Sequence, residues 1–206
     1  RPLLGNSNAL QDQILNQLGS EGNSATANGF AEVRIAKDFK ITSTNTITLD
    51  ESRGTAFTNP YYGQYATSNG MLDKSHARRF TYAFQQLGNW GHVYGKHDVD
   101  VMIGHESYYD KYYSLSASKS NMFDPTNMEL AGAVTEKSSN SYTKEYNNEG
   151  YFGRAQYNYA QKYFGSFSFR RDGSSRFHPD NRWGNFFSVG AAWVMSEESF
   201  LKDIKP

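Results

Sequence analysis

The sequence predicts an all-β fold, an antiparallel up-and-down meander of about seven strands. Apolar and polar side chains alternate between Tyr151 and Trp193, and successive side chains on a strand point to opposite faces. β-Branched and aromatic residues, which favour strands, are frequent in the alternating runs. Short turns separate several of these runs, as expected for antiparallel neighbours.

The first half of the chain is predicted to contain four strands. A short amphipathic helix is expected within residues 3–18, ended by Gly19, and residues 19–29 are expected to form a loop. Alternation and β-branched residues then indicate strands at 31–35, 40–50, about 78–90 and about 97–109.

The second half contains the clearest alternation. Strand five is predicted at 151–159, strand six after a turn at 161–162, and strand seven at 184–194. The odd-numbered positions of these strands are mainly apolar or aromatic, and the even-numbered positions are mainly polar. One face is therefore expected to meet apolar surroundings. After strand seven, Ser196 is expected to cap a final helical turn.

The connections between the predicted strands alternate in length. Short connections are predicted at 37–39, 91–96 and 161–162, and long ones at 51–77, 111–147 and 172–183. In an up-and-down meander, alternate connections lie at the same end of the sheet. Outer-membrane barrels have this asymmetry, with short periplasmic turns and longer extracellular loops. Aromatic residues near the short turns suit a girdle at the membrane interface: Trp90, Tyr94, Tyr157, Tyr159 and Tyr163.

The composition excludes several classes of protein. Lys+Arg and Asp+Glu both number 21, so there is no basic excess for binding nucleic acid or anionic surfaces. Cysteine is absent, which excludes disulfides and thiolate metal sites. The chain does not begin with methionine, and we expect it to be part of a larger polypeptide.

One block of the sequence carries a family resemblance. The stretches Arg170–Phe177, Asp180–Gly184 and Glu197–Phe200 resemble the SusC-like family, the TonB-dependent outer-membrane transporters of Bacteroidetes. The similar block covers about 50 residues, from Tyr151 to Lys202. Within it, Phe187 stands where the family pattern leads us to expect proline. No plug domain or TonB box is recognisable in the sequence.

The resemblance implies that residues 1–206 are part of a multi-pass barrel of about 22 strands with a plugged lumen, in a Gram-negative outer membrane. It implies uptake of a glycan or peptide beneath a SusD-like lipoprotein lid, with energy supplied by TonB through the parent protein's plug. Membrane lipid is a further implied partner. No cofactor, nucleic acid or catalytic residue is expected.

The expected site residues fall into three groups. Polar positions on the alternating strands are expected to line the lumen: Arg34, Gln85, Asp98, Asp100, Glu106, Arg154, Gln156, Asn158 and Arg170. The 170–184 loop is expected to be held by a hydrogen-bonded network more than to bind ligand: Arg171, Asp172, Ser174, Arg176, Asp180 and Arg182. Four tyrosines of the long loops stack on sugar rings or, as we favour, pack the loops together: Tyr61, Tyr62, Tyr112 and Tyr113.

Neither a metal site nor an enzyme is predicted. Histidines and acids cluster in one region (His92, His97, Asp98, Asp100, His105 and Glu106). However, alternation separates His97 and His105 from the acids, and a zinc site needs convergent ligands. No pair of carboxylates is singled out for hydrolysis, and Ser174-Ser175 lacks the context of a nucleophile elbow.

The main alternative is a soluble β-sandwich that serves as a binding or adhesion module. Its packed core would then hold the apolar side chains that the membrane hypothesis places in lipid: Phe80, Val101, Phe167 and Val189. The tyrosine-rich loops would be its ligand site. The loop asymmetry and the aromatic residues near the short turns favour the membrane.

Overall fold

The computed structural model describes residues 9–200. A short helix, α1 (Ala9–Leu15), precedes seven strands that form one sheet in chain order. The strands are β1 (Gln17–Ala36), β2 (Phe39–Thr58), β3 (Met71–Tyr94), β4 (His97–Met122), β5 (Ala133–Tyr159), β6 (Tyr163–Ser174) and β7 (Trp183–Trp193). The predicted fold class, an all-β antiparallel meander, is confirmed. None of the helices in residues 9–200 has both the length and the apolar character needed to cross a bilayer.

The predicted alternation of short and long connections is confirmed, but the predicted lengths of the long ones are wrong. The short connections are 37–38, 95–96 and 160–162, and the long ones are only 59–70, 123–132 and 175–182. Residues 19–29, 51–58, 71–77, 111–122 and 133–147 are strand. These segments are rich in polar residues, so they lack the period-two signal. Side-chain hydrogen bonds also connect β1 and β2 there, between Ser24 and Asp50 (2.6 Å) and between Thr26 and Thr48 (3.2 Å).

The predictions for the two ends of the chain are also corrected. The first helix ends at Leu15, and Gly19 lies within β1 instead of ending the helix; residues 3–8 lie outside the described part. After β7, a 3₁₀ turn covers Met195–Glu197, so Ser196 lies inside the turn and does not cap it. The backbone N–H of Val194 donates to the Lys162 carbonyl (2.8 Å), which keeps the chain beside β6 until the turn begins.

The residues described divide into two compact units. Unit 1 comprises residues 9–26, 48–80 and 111–145, and it contains the connections 59–70 and 123–132. Unit 2 comprises residues 27–47, 81–110 and 146–200, and it contains β6, β7 and all three short turns.

Unit 1 has a small core beside its two long connections. Phe57, Leu72, Met122 and Ala133 are buried there, and Leu72 is 0% exposed. The 59–70 connection is tied to the end of β4, because the Met122 N–H donates to the Asn69 carbonyl (2.9 Å). Both connections lie within the predicted loops, and packing and hydrogen bonds anchor them.

A buried asparagine connects α1 to the 59–70 connection. Asn59 is 1% exposed, and both its backbone N–H and its Nδ2 donate to Asn16 Oδ1 (3.0 and 2.7 Å). Its Oδ1 accepts the backbone N–H groups of Tyr61 and Tyr62 (2.9 and 3.1 Å), which forms a turn. The Tyr62 hydroxyl donates to Asp12 Oδ1 (2.7 Å). Burial and this hydrogen bond raise the pKa of Tyr62 to about 12.

The register of β5, β6 and β7 confirms the predicted faces. Ala155 lies opposite Phe167, and Phe167 lies opposite Val189. Because odd-numbered residues pair with odd-numbered residues across all three strands, they share one face, called here the odd face. The even-numbered residues form the opposite face, called here the polar face, which carries Arg154, Gln156 and Arg170 and also Phe152, Phe164 and Phe186.

Candidate functional site

The odd face presents exposed apolar side chains between two tryptophans. Phe187 is 77% exposed and Val189 is 75% exposed, and Trp183 and Trp193 stand at the two ends of β7. The 11 residues of this strand span about 33 Å at about 3.3 Å per residue. At a tilt of about 40° that length projects to about 25 Å, the height of the apolar band of outer-membrane barrels.

Aromatic rings form a row near the short turns of unit 2. His97 and Tyr159 have ring centroids 4.9 Å apart, and Tyr159–Tyr163 and Tyr163–Trp193 are each separated by 6.3 Å. These rings lie near the short turns, as predicted, and their assignment to a girdle at a membrane interface stays a prediction.

Glu198 anchors the end of this row, a role that the sequence reasoning missed. Its carboxylate accepts hydrogen bonds from the Tyr163 hydroxyl (2.5 Å) and the Trp193 indole N–H (3.2 Å). It also pairs with Lys162 Nζ at 3.5 Å. The hydrogen bonds from Tyr163 and Trp193 hold the pKa of Glu198 below its usual range. The sequence placed Glu198 in a helical turn and offered no signal for these partners.

A second group of rings lies at the other end of the odd face. Tyr151 is 4.8 Å from the His105 ring and 6.1 Å from the Trp183 ring, measured between centroids. The Arg171 guanidinium lies over Trp183 at 5.2 Å. This group was not predicted, because Trp183 had been assigned to a connecting loop. Aromatic side chains therefore occur at both ends of the odd face.

On the polar face, unit 2 has a concavity of about 920 Å³, called here the polar-face cavity. Three of the expected lumen residues line it: Gln85, Glu106 and Arg170. Aromatic side chains contribute to its wall, among them Tyr108, Tyr146 and Phe177. Such a mixture of aromatic and hydrogen-bonding groups is typical of ligand pockets.

Arg170 links two carboxylates in the wall of this cavity. Its Nε donates to both Asp172 oxygens (2.7 Å each), and its Nη2 donates to Glu106 Oε1. A Cβ at Gly150 would lie 2.7 Å from Asp172 Oδ1 and 3.0 Å from Arg170 Nη2. The absence of a side chain at Gly150 therefore leaves room for the ion pairs.

The other expected lumen residues lie on the strands as follows. Asp98, Asp100, Gln156 and Asn158 line a second concavity of about 440 Å³. Arg154 lines a third, with Met102, Phe152 and Ser168. Arg34, on β1, is exposed and lies 3.8 Å from Glu32. Their assignment to a lumen stays a prediction.

The expected network of the 170–184 loop differs from the contacts observed. Strand alternation puts Asp172 on the face of Arg170 and away from Arg171. Ser174 Oγ accepts the Arg176 N–H (3.4 Å), and Arg182 Nε donates to the Phe177 carbonyl (3.2 Å). Two further contacts are Arg176 stacked on Tyr146 and Asp180 paired with His178 (3.4 Å). Within residues 9–200, no ion pair joins an arginine of the 171–182 stretch to one of its aspartates.

The four tyrosines are not all in loops. Tyr112 and Tyr113 lie on β4, so their loop assignment is corrected; Tyr112 is 6.1 Å from the Tyr142 ring and Tyr113 is 6.3 Å from His76. The polar segment 111–122, which contains both residues, was predicted to be a loop, but it forms the end of β4. Tyr61 and Tyr62 do lie in the 59–70 connection, and the Tyr61 ring is exposed.

The clustered histidines each have a different partner. His92 Nδ1 contacts Asp38 Oδ2 (2.7 Å), and His97 Nδ1 contacts the Tyr157 hydroxyl (2.7 Å). His105 Nε2 contacts Glu149 Oε1 (3.1 Å). In the described part of the chain, no three His, Asp or Glu side chains converge as metal ligands.

The Arg170 network leads to a prediction for stability. Arg170→Gln removes the cation from Glu106 and Asp172, and we expect the free energy of unfolding to fall by about 1 kcal/mol, since all three side chains are 37–40% exposed and partly screened. The measurement is the midpoint of thermal unfolding of the purified protein. Arg154→Gln is the control, because no ion pair is seen for Arg154 within residues 9–200. Equal shifts for both variants would contradict the prediction.

Comparisons with known proteins give the following similarities. No family model matches the chain. The TonB-dependent receptor SusC of Bacteroides thetaiotaomicron is 34% identical over 110 residues, covering 53% of this chain and 11% of that protein. The TonB-dependent receptor P3 of Formosa agariphila is 38% identical over 116 residues, with the same coverage of 53% and 11%. The matched part of the chain thus spans about a ninth of the length of these relatives.

A solved structure shares the fold of the chain. The structure described as that of the RagAB peptide transporter superposes with a TM-score of 0.83 at 22% identity, covering 93% of this chain and 22% of that chain. At this identity the likeness concerns the fold alone. The resemblance predicted from the block between Tyr151 and Lys202 is confirmed by the names and identities of the curated relatives.

Proposed function

We propose that this chain, a segment of a SusC-like TonB-dependent transporter, forms seven neighbouring strands of an outer-membrane barrel that takes up nutrients. Residues 1–206 make up part of the barrel wall, and the barrel has about 22 strands in all. The plug and the remaining strands belong to the rest of the parent protein. The chain itself carries no catalytic chemistry in this proposal, which agrees with relatives that are named as receptors.

The observation that carries the proposal is the odd face of β5–β7. Phe187 and Val189 are more than 70% exposed on the edge strand β7, and Phe167 and Phe169 are still 49% and 41% exposed on β6, which is paired on both sides. A β-sandwich would bury this face beneath a second sheet, and residues 9–200 form only one sheet. Lipid covers such a face in a barrel, and the tryptophans at both ends of β7 match the two interfaces.

The polar face then forms part of the lumen wall. Charged and amide side chains are tolerated there because the lumen is wet. The Glu106–Arg170–Asp172 network is half-exposed within the polar-face cavity, so its remaining donors and acceptors are accessible to water. We assign the nine expected lumen residues to this wall.

The two ends of the sheet are assigned to the two sides of the membrane. The short turns face the periplasm, and the long connections 59–70, 123–132 and 175–182 face outside. A SusD-like lipoprotein would cover the outer side, and TonB would act through the parent's plug. The substrate is a glycan or a peptide; the name of the RagAB structure supports the peptide.

The test is the location of the full-length parent protein in its native Gram-negative cell. We expect recovery in the outer-membrane fraction, with a gel mobility that changes on boiling because a folded barrel resists detergent. Recovery as a soluble or secreted monomer would contradict the transporter hypothesis. The odd face would then require another cover, and the tyrosine-rich segments would become the leading ligand site of a binding module.

A further inference from the structure

We propose that Arg176 and Arg182 form a carboxylate-binding site in the wall of the polar-face cavity. Both residues belong to the 175–182 connection, and both line the cavity. The binding site follows from the contacts of these side chains. Its placement inside a barrel lumen rests on the proposed function.

The charges that line the cavity are already partly matched. Three arginines and three carboxylates line it: Arg170, Arg176, Arg182, Glu106, Glu149 and Asp172. Arg170 takes two of the carboxylates, Glu106 and Asp172. The third, Glu149, has its side chain on the odd face, where it accepts the Tyr151 hydroxyl (2.6 Å) and contacts His105 (3.1 Å). Across residues 9–200, neither Arg176 nor Arg182 pairs with a carboxylate.

The contacts of the two free arginines orient them and leave donors unused. The Arg176 guanidinium lies 3.7 Å from the centroid of the Tyr146 ring, a stacking that leaves the N–H groups at its edge available. Arg182 uses its Nε to donate to the Phe177 carbonyl at 3.2 Å, so its terminal nitrogens stay available. A guanidinium fork fits a carboxylate with two parallel hydrogen bonds.

The connection that carries both arginines is fixed by its backbone. The Ser175 N–H donates to the Asn147 carbonyl (2.9 Å), and the Asn147 N–H donates to Ser175 Oγ (2.8 Å). The Ser174 N–H donates to the Arg182 carbonyl (3.1 Å), which closes the connection. Side chains on a pre-organised segment lose less conformational entropy on binding.

The cavity favours a carboxylate over a phosphate. Glu106 and Asp172 have their side chains on the polar face, and they would repel a doubly charged phosphate more strongly than a singly charged carboxylate. The carboxylate can come from two sources. It is carried either by the imported ligand, as an acidic peptide or acidic sugar, or by another part of the parent polypeptide.

The experiment measures how fast phenylglyoxal, an arginine-specific reagent, modifies each residue in the purified full-length protein, with mass spectrometry as the readout. Arg154 is the internal control, since it lines a different concavity. The probes are amidated tetraglutamate and trigalacturonate, and their neutral matches are amidated tetraglutamine and maltotriose. Protection should grow as 1 + [L]/Kd, which is about tenfold at about nine times Kd.

Protection of Arg176 and Arg182 by an acidic probe, but not by its neutral match, supports a carboxylate on the ligand. If both arginines are unreactive without any probe, the carboxylate belongs to the parent protein. In that case Arg182→Lys treated with a carbodiimide should form a zero-length cross-link that identifies the acid. The proposal is overturned if both react as fast as Arg154 with every probe, or if inorganic phosphate protects better than the acidic probes.

This result is separate from the test of membrane location. If the arginines are protected but the parent protein is soluble, the carboxylate site is supported and the transporter hypothesis is contradicted. If the arginines are not protected but the protein is in the outer membrane, the transporter hypothesis is supported and the carboxylate site is contradicted.

Discussion

Val189→Arg is expected to prevent stable insertion of the full-length protein into the outer membrane. Val189 is 75% exposed near the middle of β7, and Trp183 and Trp193 stand at the two ends of the strand. An arginine facing lipid near the bilayer midplane costs about 2–4 kcal/mol. The measurement is the amount of folded, heat-modifiable protein recovered from the outer membrane of cells that express each variant.

The neighbouring residue offers a matched control. Ser188 pairs with Ser168 on the polar face, one position away from Val189 along β7. Ser188→Arg adds the same charge and volume at nearly the same depth, and we expect near-parental recovery because it faces water. If Val189→Arg is recovered as well as Ser188→Arg, the odd face does not contact lipid.

Leu72→Ala is expected to loosen the two long connections of unit 1. Leu72 is fully buried among Phe57, Met122 and Ala133. A buried leucine replaced by alanine costs about 2–5 kcal/mol, because part of the cavity remains. The exposed residues Tyr61 and Phe123 are chymotrypsin sites in these connections. We expect cleavage there to be at least about tenfold faster, since cleavage follows the population of the locally open state.

Val134→Ala is the matched control for Leu72→Ala. Val134 is adjacent to the buried Ala133 on β5, but its own side chain is exposed, so its truncation leaves no cavity. Chymotrypsin should cleave this variant at the parental rate. Equal cleavage of both variants would show that the small core does not hold the connections in place.

The sequence by itself determined the strand faces of β5–β7 and the alternation of short and long connections. The alternation of Phe167 and Phe169 with Ser166 and Ser168 assigns these residues to opposite faces, because side chains on a strand repeat with a period of two. It also determined the family resemblance, since Arg170–Phe177 is a local pattern. Each of these features depends on residues that are close in the chain.

Only the tertiary structure decided the lengths of the strands and the partners of the charged groups. The segments 51–58 and 111–122 are polar and resemble loops, yet pairing with neighbouring strands satisfies their backbone groups. Arg170 forms an ion pair with Glu106 on β4, and Glu198, after β7, accepts hydrogen bonds from Tyr163 and Trp193. The meander brings these residues together. Such pairs depend on register, which a single strand does not contain. The carboxylates matched by Arg170, and therefore the unmatched Arg176 and Arg182, could be recognised only after the strands were in place.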